Sequence, residues 1–297
     1  MTTENMDNSG VKWFVVINPV AGSGKGLDDY PLISKLLRDN NIKCEAVFTE
    51  HKHHATELTV SAIESGYRCI IVVGGDGTLL DAVGRLQGRQ LPVVGINCGR
   101  LGYLTADDGR GIAQLFDRLV AKELCFEPRQ MLRVSFQSLD ESGETICEET
   151  LALNEVTIHR HGATMISVEA LINDKTIATY HGDGLIISTP TGSTAYSLSV
   201  GGPVVDPMCR CFVLSPLAPH NLTMRPVVVP DNVSIRLQLN ARGGNTFLSA
   251  DNRTYTLADK ARIVVQPAEQ QLILATPHNN TFYDTLREKM MWGVDKR

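Results

Sequence analysis

Short apolar runs alternate with amphipathic segments in the first part of the chain. The run Ile70–Val73 is β-branched and uninterrupted, which is typical of a strand buried on both faces. Between such runs, apolar residues recur at the spacing of helices. The pattern predicts strands at Trp13–Ile17, Lys43–Thr49, Ile70–Val73 and Leu91–Ile96, and helices at Leu32–Asn40, Ala55–Ser65, Gly111–Ala121 and from Thr78 onward. This alternation predicts an α/β domain with a parallel sheet over residues 11–126.

The sequence pattern changes from Phe126 onward, where short runs rich in Val, Ile and Thr are separated by turn residues. These runs are Met131–Phe136, Glu149–Ile158, Ile166–Ile172, Leu185–Ser188, Val233–Leu239, Ala261–Val265 and Gln271–Ala275. They predict a mostly β domain over residues 127–278, with the boundary near Glu123 to Gln130. An amphipathic helix at Phe282–Met290, within 279–297, is expected to pack back on the first domain. Residues 1–10 are polar and are expected to form a disordered tail.

The strand Ile70–Val73 ends in a glycine turn, Gly74-Gly75-Asp76-Gly77-Thr78, with Thr78 predicted as the N-cap of the next helix. Glycines accept positive φ and let a ligand approach the backbone. The N–H groups at a helix N-terminus favour phosphate. A carboxylate in that place suits proton acceptance from an attacking hydroxyl, or a share in holding Mg²⁺. The alternative is that Asp76 is an ordinary turn residue.

A second glycine-rich loop, from Asn18 to Gly26, follows the first predicted strand. It is not a Walker A loop, because Pro19 stands where the motif requires glycine and Gly26 where it requires Ser or Thr. The loop either contacts phosphate, with Lys25, or is simply flexible. Ligands of parallel sheets bind at the carboxyl ends of the strands, so both loops are expected at the same edge.

Two further stretches carry candidate chemistry. The block from Ser188 to Ser199 is dense in hydroxyls, turns at Pro190 and Gly192, and contains Tyr196, whose ring could stack on a base. The alternative is a capped turn rich in Ser and Thr. The pair Asn154-Glu155 interrupts an apolar strand, and either frames a site or leaves Glu155 facing solvent.

Composition narrows the function classes. The chain has 297 residues and a net charge of −5, so general nucleic-acid binding is not expected. No apolar run is long enough for a membrane span and no signal peptide is evident, so we expect no membrane partner. Seven scattered cysteines without paired spacing favour reduced thiols and a cytoplasmic location. The histidines at 51, 53 and 54 are interpreted as a solvated helix start, and no metal site is predicted.

Taken together, these blocks resemble the NAD kinase family from about residue 70 to the end. The matching blocks are Gly74–Thr78, Asn154-Glu155, Asp183-Gly184, Thr189–Tyr196, Gly201-Gly202-Pro203 and Phe282–Trp292. The glycine turn is shared with diacylglycerol and sphingosine lipid kinases, whereas the hydroxyl block is specific to NAD kinases. The opening Asn18-Pro19 resembles diacylglycerol kinases, which keeps a lipid kinase as the alternative. A non-catalytic dinucleotide sensor is a second alternative, disfavoured because a binder needs no Asp76.

The resemblance implies a kinase that phosphorylates the adenosine ribose 2′-hydroxyl of NAD, with ATP as donor and Mg²⁺ as cofactor, in a homodimer or homotetramer. It implies that Asp76 is the catalytic base. It implies phosphate or ATP contacts by Gly74, Gly75, Gly77 and Thr78. The implied NAD contacts are Asp76, Gly77, Asn154, Glu155, His181, Asp183, Thr194, Ala195, Tyr196, Ser197 and Ser199.

Two positions depart from the family pattern. Many members carry a basic residue soon after the glycine turn, where this chain has Asp81. Arg85, Arg100 or Lys25 would then have to balance phosphate charge. Many members also read Asp-Gly-Gln near the end of the β domain, where this chain has Asp251-Asn252-Arg253, which leaves the role of Arg253 open.

Overall fold

The chain divides into two compact units. The computed structural model describes residues 12–84, 91–98, 102–105, 112–121, 123–241, 246–277 and 281–293. The first unit takes in the chain up to Pro128 and again from Leu272, and the second unit is Arg129–Gln271. The tail predicted at 1–10, together with Arg85 and Arg100, lies outside the described residues.

Within the described residues of the first part of the chain, four strands and four helices alternate: β1 Trp13–Ile17, α1 Lys25–Asp39, β2 Cys44–Phe48, α2 His54–Glu64, β3 Cys69–Gly74, α3 Asp76–Val83, β4 Pro92–Asn97 and α4 Ile112–Val120. The part of the chain described after α4 contains twelve strands: β5 Leu124–Leu139, β6 Thr145–Ala152, β7 Glu155–Arg160, β8 Ile166–Ile172, β9 Lys175–Gly182, β10 Gly184–Ser188, β11 Cys211–Leu217, β12 Val227–Pro230, β13 Ile235–Ala241, β14 Thr246–Ala250, β15 Arg253–Leu257 and β16 Arg262–Pro277. The short helix α5 Tyr196–Ser199 lies between β10 and β11, and α6 Phe282–Met290 comes last.

The first unit contains a parallel sheet in the order β2-β1-β3-β4, extended beside β4 by the end of β16. Successive strand residues point to opposite faces. Trp13, Val15 and Ile17 pack with α1 and α4 around Phe116. Helices α2 and α3 pack with each other, and the Thr56 hydroxyl donates to the Asp81 carbonyl at 2.6 Å. The predicted α/β fold with a parallel sheet is confirmed.

The second unit is built from antiparallel strands, as predicted. One series runs β12-β11-β10-β7-β14-β15-β5, with β6 paired to β5, and another joins β9, β8, β13 and β16. Its core is formed by alternate apolar residues of these strands, including Phe212, Ile187 and Leu248. Among the described residues, no helix is both long enough and apolar enough to cross a membrane.

Two helix boundaries differ from the prediction. Helix α1 begins at Lys25 rather than at Leu32. The prediction began late because Gly26 and Pro31, both poor helix formers, lie in the first half of the helix. Helix α3 begins at Asp76, with Gly75 as N-cap, so the prediction of Thr78 as N-cap is wrong. Thr78 lies inside the first turn of α3.

The predicted strand Glu149–Ile158 is divided into β6 and β7, so the prediction of one strand there is wrong. The break falls at Leu153 and Asn154, whose backbone N–H groups donate to the Asp251 carboxylate at 2.8 and 2.9 Å. A carboxylate that takes these donors removes them from a strand ladder. The pair Asn154-Glu155 therefore marks a strand break.

The loop after β1 depends on a close approach that only glycine permits. Gly22 has φ +61°, and a Cβ there would lie 1.7 Å from the Cys98 carbonyl oxygen. Gly24 also has a positive φ, yet a Cβ there would meet nothing within 4 Å. Substitutions at these two glycines can therefore be compared to separate the effect of backbone strain from the effect of steric overlap.

We predict that Gly22→Ala lowers the free energy of unfolding by about 2 kcal/mol more than Gly24→Ala, because only the first substitution adds overpacking to strain. Urea unfolding of both variants measures the difference. Equal losses would mean that the approach to Cys98 relaxes freely.

Candidate functional site

The carboxyl edge of the parallel sheet contains a topological switch point. β1 and β3 are neighbours, yet α1 after β1 packs with the Trp13 face, whereas α3 after β3 packs with α2. Crevices at such points are the usual ligand sites of open α/β sheets. The two glycine-rich loops follow these two strands and lie at the same edge, as expected.

The glycine turn keeps its backbone open without positive φ. None of Gly74, Gly75 and Gly77 has a positive φ, so this turn does not use the left-handed backbone that glycine accepts. A Cβ on Gly74 would lie 2.6 Å from the Thr78 hydroxyl, whereas Gly75 and Gly77 face open space. The N-terminus of this eight-residue helix has the partial positive charge that suits an approaching phosphate, and no side chain on Gly75 or Gly77 stands in the way.

Thr78 ties the two loops together. The Asn18 side-chain amide donates to the Thr78 hydroxyl at 3.0 Å, and the Asn18 backbone N–H donates to the Val73 carbonyl at 2.9 Å. The Thr78 side chain is buried in this arrangement. The predicted loop Asn18–Gly26 is thus part of the same edge as the glycine turn, and α1 begins within it.

The Asp76 carboxylate is held by the segment after β4. The Tyr103 N–H donates to Oδ2 at 2.6 Å, and the Leu104 N–H and the Thr105 hydroxyl donate to Oδ1, each at 3.3 Å. Burial raises the pKa of Asp76, while these hydrogen bonds and the charge of Lys289 act in the opposite direction. A carboxylate with a raised pKa accepts a proton more readily near neutral pH.

Lys289 of α6 supplies a positive charge that the sequence analysis did not single out. Its ammonium lies 5.8 Å from the centroid of the Tyr103 ring, above the segment that holds Asp76. Among the cations proposed earlier, the Lys25 ammonium lies 4.0 Å from Asp29. The sequence signal for Lys289 was the predicted amphipathic helix. Lys289 comes near Asp76 because this helix belongs to the first unit.

The second unit contains a cavity of about 640 Å³, a size typical of small-molecule sites. Its lining residues are Glu155, Thr157, His159, Arg160, Gly162, Asp183, Tyr196, Val200, Leu217, Ala218, Ser249 and Asp251. Three of the predicted NAD contacts are therefore brought together here: Glu155, Asp183 and Tyr196. Polar groups converge in this cavity on an otherwise apolar β unit.

Glu155 and Asp251 form an acidic pair in this cavity. Burial and the Asp251 charge raise the pKa of Glu155 to about 8, against a hydrogen bond from the Tyr196 N–H that lowers it. Burial raises the pKa of Asp251, while three backbone N–H donors and Arg253 lower it. The buried Arg253 also donates to the Leu151 carbonyl, so this structure places it beside the strand break.

Asp183 and Tyr196 differ in their surroundings. Asp183 Oδ1 accepts from the Arg160 side chain at 2.6 Å, which makes an ion pair on the wall of the cavity. Tyr196 is 46% exposed, so its ring is free to be covered by a flat ligand. The pair offers a hydrogen-bonding group and a stacking surface.

The remaining predicted NAD residues do not line this cavity. His181 is exposed on β9, Ser199 is exposed, and the buried Ser197 hydroxyl bonds to Ser215 at 2.9 Å. Thr194 and Ala195 are partly buried in the turn before α5. Asn154 contributes its carbonyl oxygen, which accepts from the Thr189 N–H at 2.9 Å. Their contacts with NAD stay predictions.

The hydroxyl block packs tightly against the strand break. A Cβ on Gly192 would lie 2.0 Å from the Asn154 carbonyl oxygen, and the Thr189 hydroxyl donates to the Leu153 carbonyl at 2.6 Å. Part of this block therefore shapes the backbone that presents Glu155. Asp251 holds the same segment by hydrogen bonds. The sequence signal for Asp251 was its place at the start of Asp251-Asn252-Arg253, the stretch that departs from the family pattern.

The histidines predicted as a solvated helix start lie at the beginning of α2. The His51 and His54 rings stack with centroids 4.4 Å apart, and ligand atoms of both lie within 4.8 Å of a Glu57 oxygen. His54 Nδ1, however, accepts from the Glu50 N–H at 3.0 Å. A neutral His54 then carries its proton on Nε2, which disfavours metal binding there.

Comparison with known families matches both units. The model of the ATP-NAD kinase C-terminal domain matches residues 153–276, and that of the diacylglycerol kinase catalytic domain matches residues 12–105. The second match agrees with the resemblance of the Asn18-Pro19 opening to diacylglycerol kinases. An α/β unit with a glycine turn, joined to a dinucleotide-kinase β unit, defines the class as a phosphotransferase.

Curated relatives and solved structures narrow this class. The NAD kinase of Porphyromonas gingivalis is 42% identical over 229 residues, 77% of each chain. The NAD kinase of Christiangramia forsetii is 36% identical over 264 residues, 89% of this chain and 86% of that one. The chain belongs to the NAD kinase family.

Two solved structures share the fold. The NAD kinase of Archaeoglobus fulgidus, in complex with ATP, superposes with a TM-score of 0.72 at 27% identity, over 95% of this chain and 99% of that one. Yeast NADH kinase, complexed with NADH, gives a TM-score of 0.81 at 20% identity, over 98% and 90% of the two chains.

We predict that Lys289→Met raises the pKa of Asp76, because a neighbouring cation that favours the ionised form is removed. Carboxyl ¹³C NMR titration measures the pKa, and Asp76→Asn identifies the resonance. Arg287→Met is the matched control, since Arg287 is exposed on the same helix and pairs with Asp284. An equal shift in both variants would contradict a specific effect of Lys289.

Proposed function

We propose that this protein phosphorylates the adenosine ribose 2′-hydroxyl of NAD, with ATP as donor, to give NADP and ADP. The observation that carries the proposal is the half-buried Asp76 carboxylate, held by three hydrogen bonds at the N-terminus of α3. The NAD kinases that are 35–42% identical support the reaction. The relative from Archaeoglobus fulgidus, which binds ATP, supports the donor.

Asp76 is assigned the role of base. It takes the proton of the 2′-hydroxyl as the oxygen forms its bond to the γ-phosphorus, and the bond from that phosphorus to the β–γ bridging oxygen breaks. Such proton transfer contributes about 10²–10⁴-fold to rate. The N–H groups at Gly75 and Gly77 are assigned to the phosphates, which they stabilise by charge and orientation.

Three of the residues proposed to hold NAD line the cavity of the second unit, and Asp76 and Gly77 of the first unit are kept as further proposed contacts. Glu155 and Asp183 are assigned hydrogen bonds to the dinucleotide, and Tyr196 is assigned a stacking contact. Asn154, His181, Thr194, Ala195, Ser197 and Ser199 are kept as proposed contacts from the family resemblance. Exposure of the Tyr196 ring supports the stacking role.

ATP is taken as its magnesium complex, which neutralises charge on the transferred phosphoryl group. Hard oxygen donors suit Mg²⁺, and the Asp76 carboxylate at the glycine turn is such a donor. Assembly as a homodimer or homotetramer and a cytoplasmic location remain predictions. Light scattering and cell fractionation check them.

A lipid kinase is the less favoured function. The glycine turn and the Asn18-Pro19 loop are shared with that class, but the match over residues 153–276 is to NAD kinases. A dinucleotide sensor is also disfavoured, because the Asp76 carboxylate and the lysine near it serve chemistry rather than binding alone.

We predict that γ-labelled ATP with Mg²⁺ transfers label to NAD and not to a diacylglycerol emulsion offered in parallel. Separation of nucleotides from lipids measures both products. Label in the lipid would mean that the protein is a lipid kinase, as the match over residues 12–105 would suggest. Label in neither product would favour the sensor.

We predict that Asp76→Asn lowers kcat at least about a hundredfold, because the proton acceptor is lost. Thr105→Val is the matched control, since it removes one hydrogen bond to Asp76 and keeps the carboxylate. It should lower kcat less than about tenfold, because the bond that is lost is long, at 3.3 Å, and the carboxylate keeps the Tyr103 and Leu104 N–H donors. Equal losses, with weaker NAD binding in both variants, would show that Asp76 only holds the loop.

A further inference from the structure

The Asp251 carboxylate holds the backbone of the strand break with three hydrogen bonds. Its Oδ2 accepts from the Leu153 N–H at 2.8 Å, and its Oδ1 accepts from the Asn154 and Glu155 N–H groups at 2.9 and 3.1 Å. In return, the Asp251 N–H donates to the Glu155 carbonyl at 3.0 Å. The two residues are therefore locked together through the backbone.

Asp251 is the first residue of the two-residue hairpin turn between β14 and β15. Its φ is +52°, in the left-handed region that such turns use and that Asp tolerates better than most residues. The turn therefore gives the Asp251 side chain a defined direction. That direction brings the Asp251 carboxylate within hydrogen-bond distance of the N–H groups of Leu153, Asn154 and Glu155.

Glu155 differs from Asp251 in its donors. One carboxyl oxygen is served by the Tyr196 N–H, while Oε2 is buried and receives no hydrogen bond from any described residue. Asp251 has three N–H donors and the Arg253 charge beside it. Two buried carboxylates side by side cannot both ionise cheaply. Because Glu155 has fewer hydrogen-bond donors than Asp251, Glu155 is the member of the pair that protonation stabilises.

We propose that the pair holds one proton on Glu155 in the free protein, and that Asp251 is the positioning residue that keeps it there. The cavity then receives NAD with the pair singly charged. This inference rests on the proposed function, because it takes the cavity to be the NAD site. It adds Asp251 to the residues that determine NAD affinity, by acting through Glu155.

The other charged and titratable groups of the cavity do not compete for this proton. They are His159, Arg160, Asp183 and Tyr196. Burial lowers the pKa of His159, which favours its neutral ring. Arg160 and Asp183 pair with each other. Ionisation of Glu155 therefore adds a second negative charge beside Asp251, whose own charge already faces Arg253.

The consequence for binding follows from charge. NAD carries an anionic pyrophosphate, so a doubly charged pair should repel it more than a singly charged pair. The KM for NAD should be flat below about pH 7.5, rise through the Glu155 pKa of about 8 and reach a plateau at which the doubly charged pair binds NAD more weakly. The KM for ATP should not follow this rise.

Two substitutions test the assignment. Glu155→Gln cannot ionise, so its KM for NAD should not change between about pH 6.5 and pH 9.5. Asp251→Asn removes the neighbouring charge, so the midpoint of the rise should fall by about one pH unit. Asp140→Asn is the matched control. Asp140 accepts the N–H groups of Ser142 and Glu144 at 2.9 and 2.8 Å in the turn after β5, outside the cavity. Its midpoint should equal that of the wild type.

A measurement without substrate separates this inference from the proposed function. Infrared difference spectra of the free protein should contain the carbonyl stretch of a protonated carboxyl group at about pH 7, and Glu155→Gln should lack it. If the wild type lacks the band, the proton assignment is wrong, whether or not NADP is formed. If the band is present but no NADP is formed, the proposed function is wrong. The assignment also fails if Asp251→Asn folds and its midpoint is unchanged.

Discussion

Backbone segments at the carboxyl edge of the parallel sheet lie closer together than any side chain would permit. A Cβ on Gly22 would overlap the Cys98 carbonyl, one on Gly26 would lie 2.1 Å from the Asn18 carbonyl, and one on Gly74 would meet Thr78. The first contact fixes the loop after β1 against the end of β4, the other two shape that loop and the turn after β3, and the hydrogen bonds of Asn18 to Thr78 and Val73 join the two. They place the start of α3, and with it Asp76, at a defined point of the edge. The chemistry assigned to Asp76 depends on this packing before it depends on any charge.

Both units use a buried carboxylate to hold backbone N–H groups. Asp76 holds the segment from Tyr103 to Thr105, and Asp251 holds the segment from Leu153 to Glu155. Each carboxylate has a cation nearby, Lys289 or Arg253. Burial of such a group is costly unless donors compensate it. A carboxylate so constrained fixes a backbone and tunes a proton at once, which suits residues near reacting groups.

The fold could be predicted from the sequence to the extent that it follows from local periodicity. The β-branched run at Ile70–Val73 and the short Val-rich runs after Phe126 identified both architectures. The glycine turn identified the edge. Long-range partners could not be predicted, because nothing local at Leu153 indicates that Asp251 will take its N–H group. The same holds for Lys289, whose place near Asp76 depends on the return of the chain after the second unit. The start of α1 was missed because Gly26 and Pro31 obscure its periodicity.

The first unit is assembled from two separate parts of the chain. The ribosome produces β1 to α4 early, and the end of β16 and α6 only after the whole second unit. Until then β4 lacks its outer neighbour in the sheet, and Asp76 lacks the lysine of α6. Domains generally fold as they emerge during synthesis. Here the glycine turn acquires its full electrostatic surroundings last, so a prematurely terminated chain would contain the turn without the charge that accompanies it.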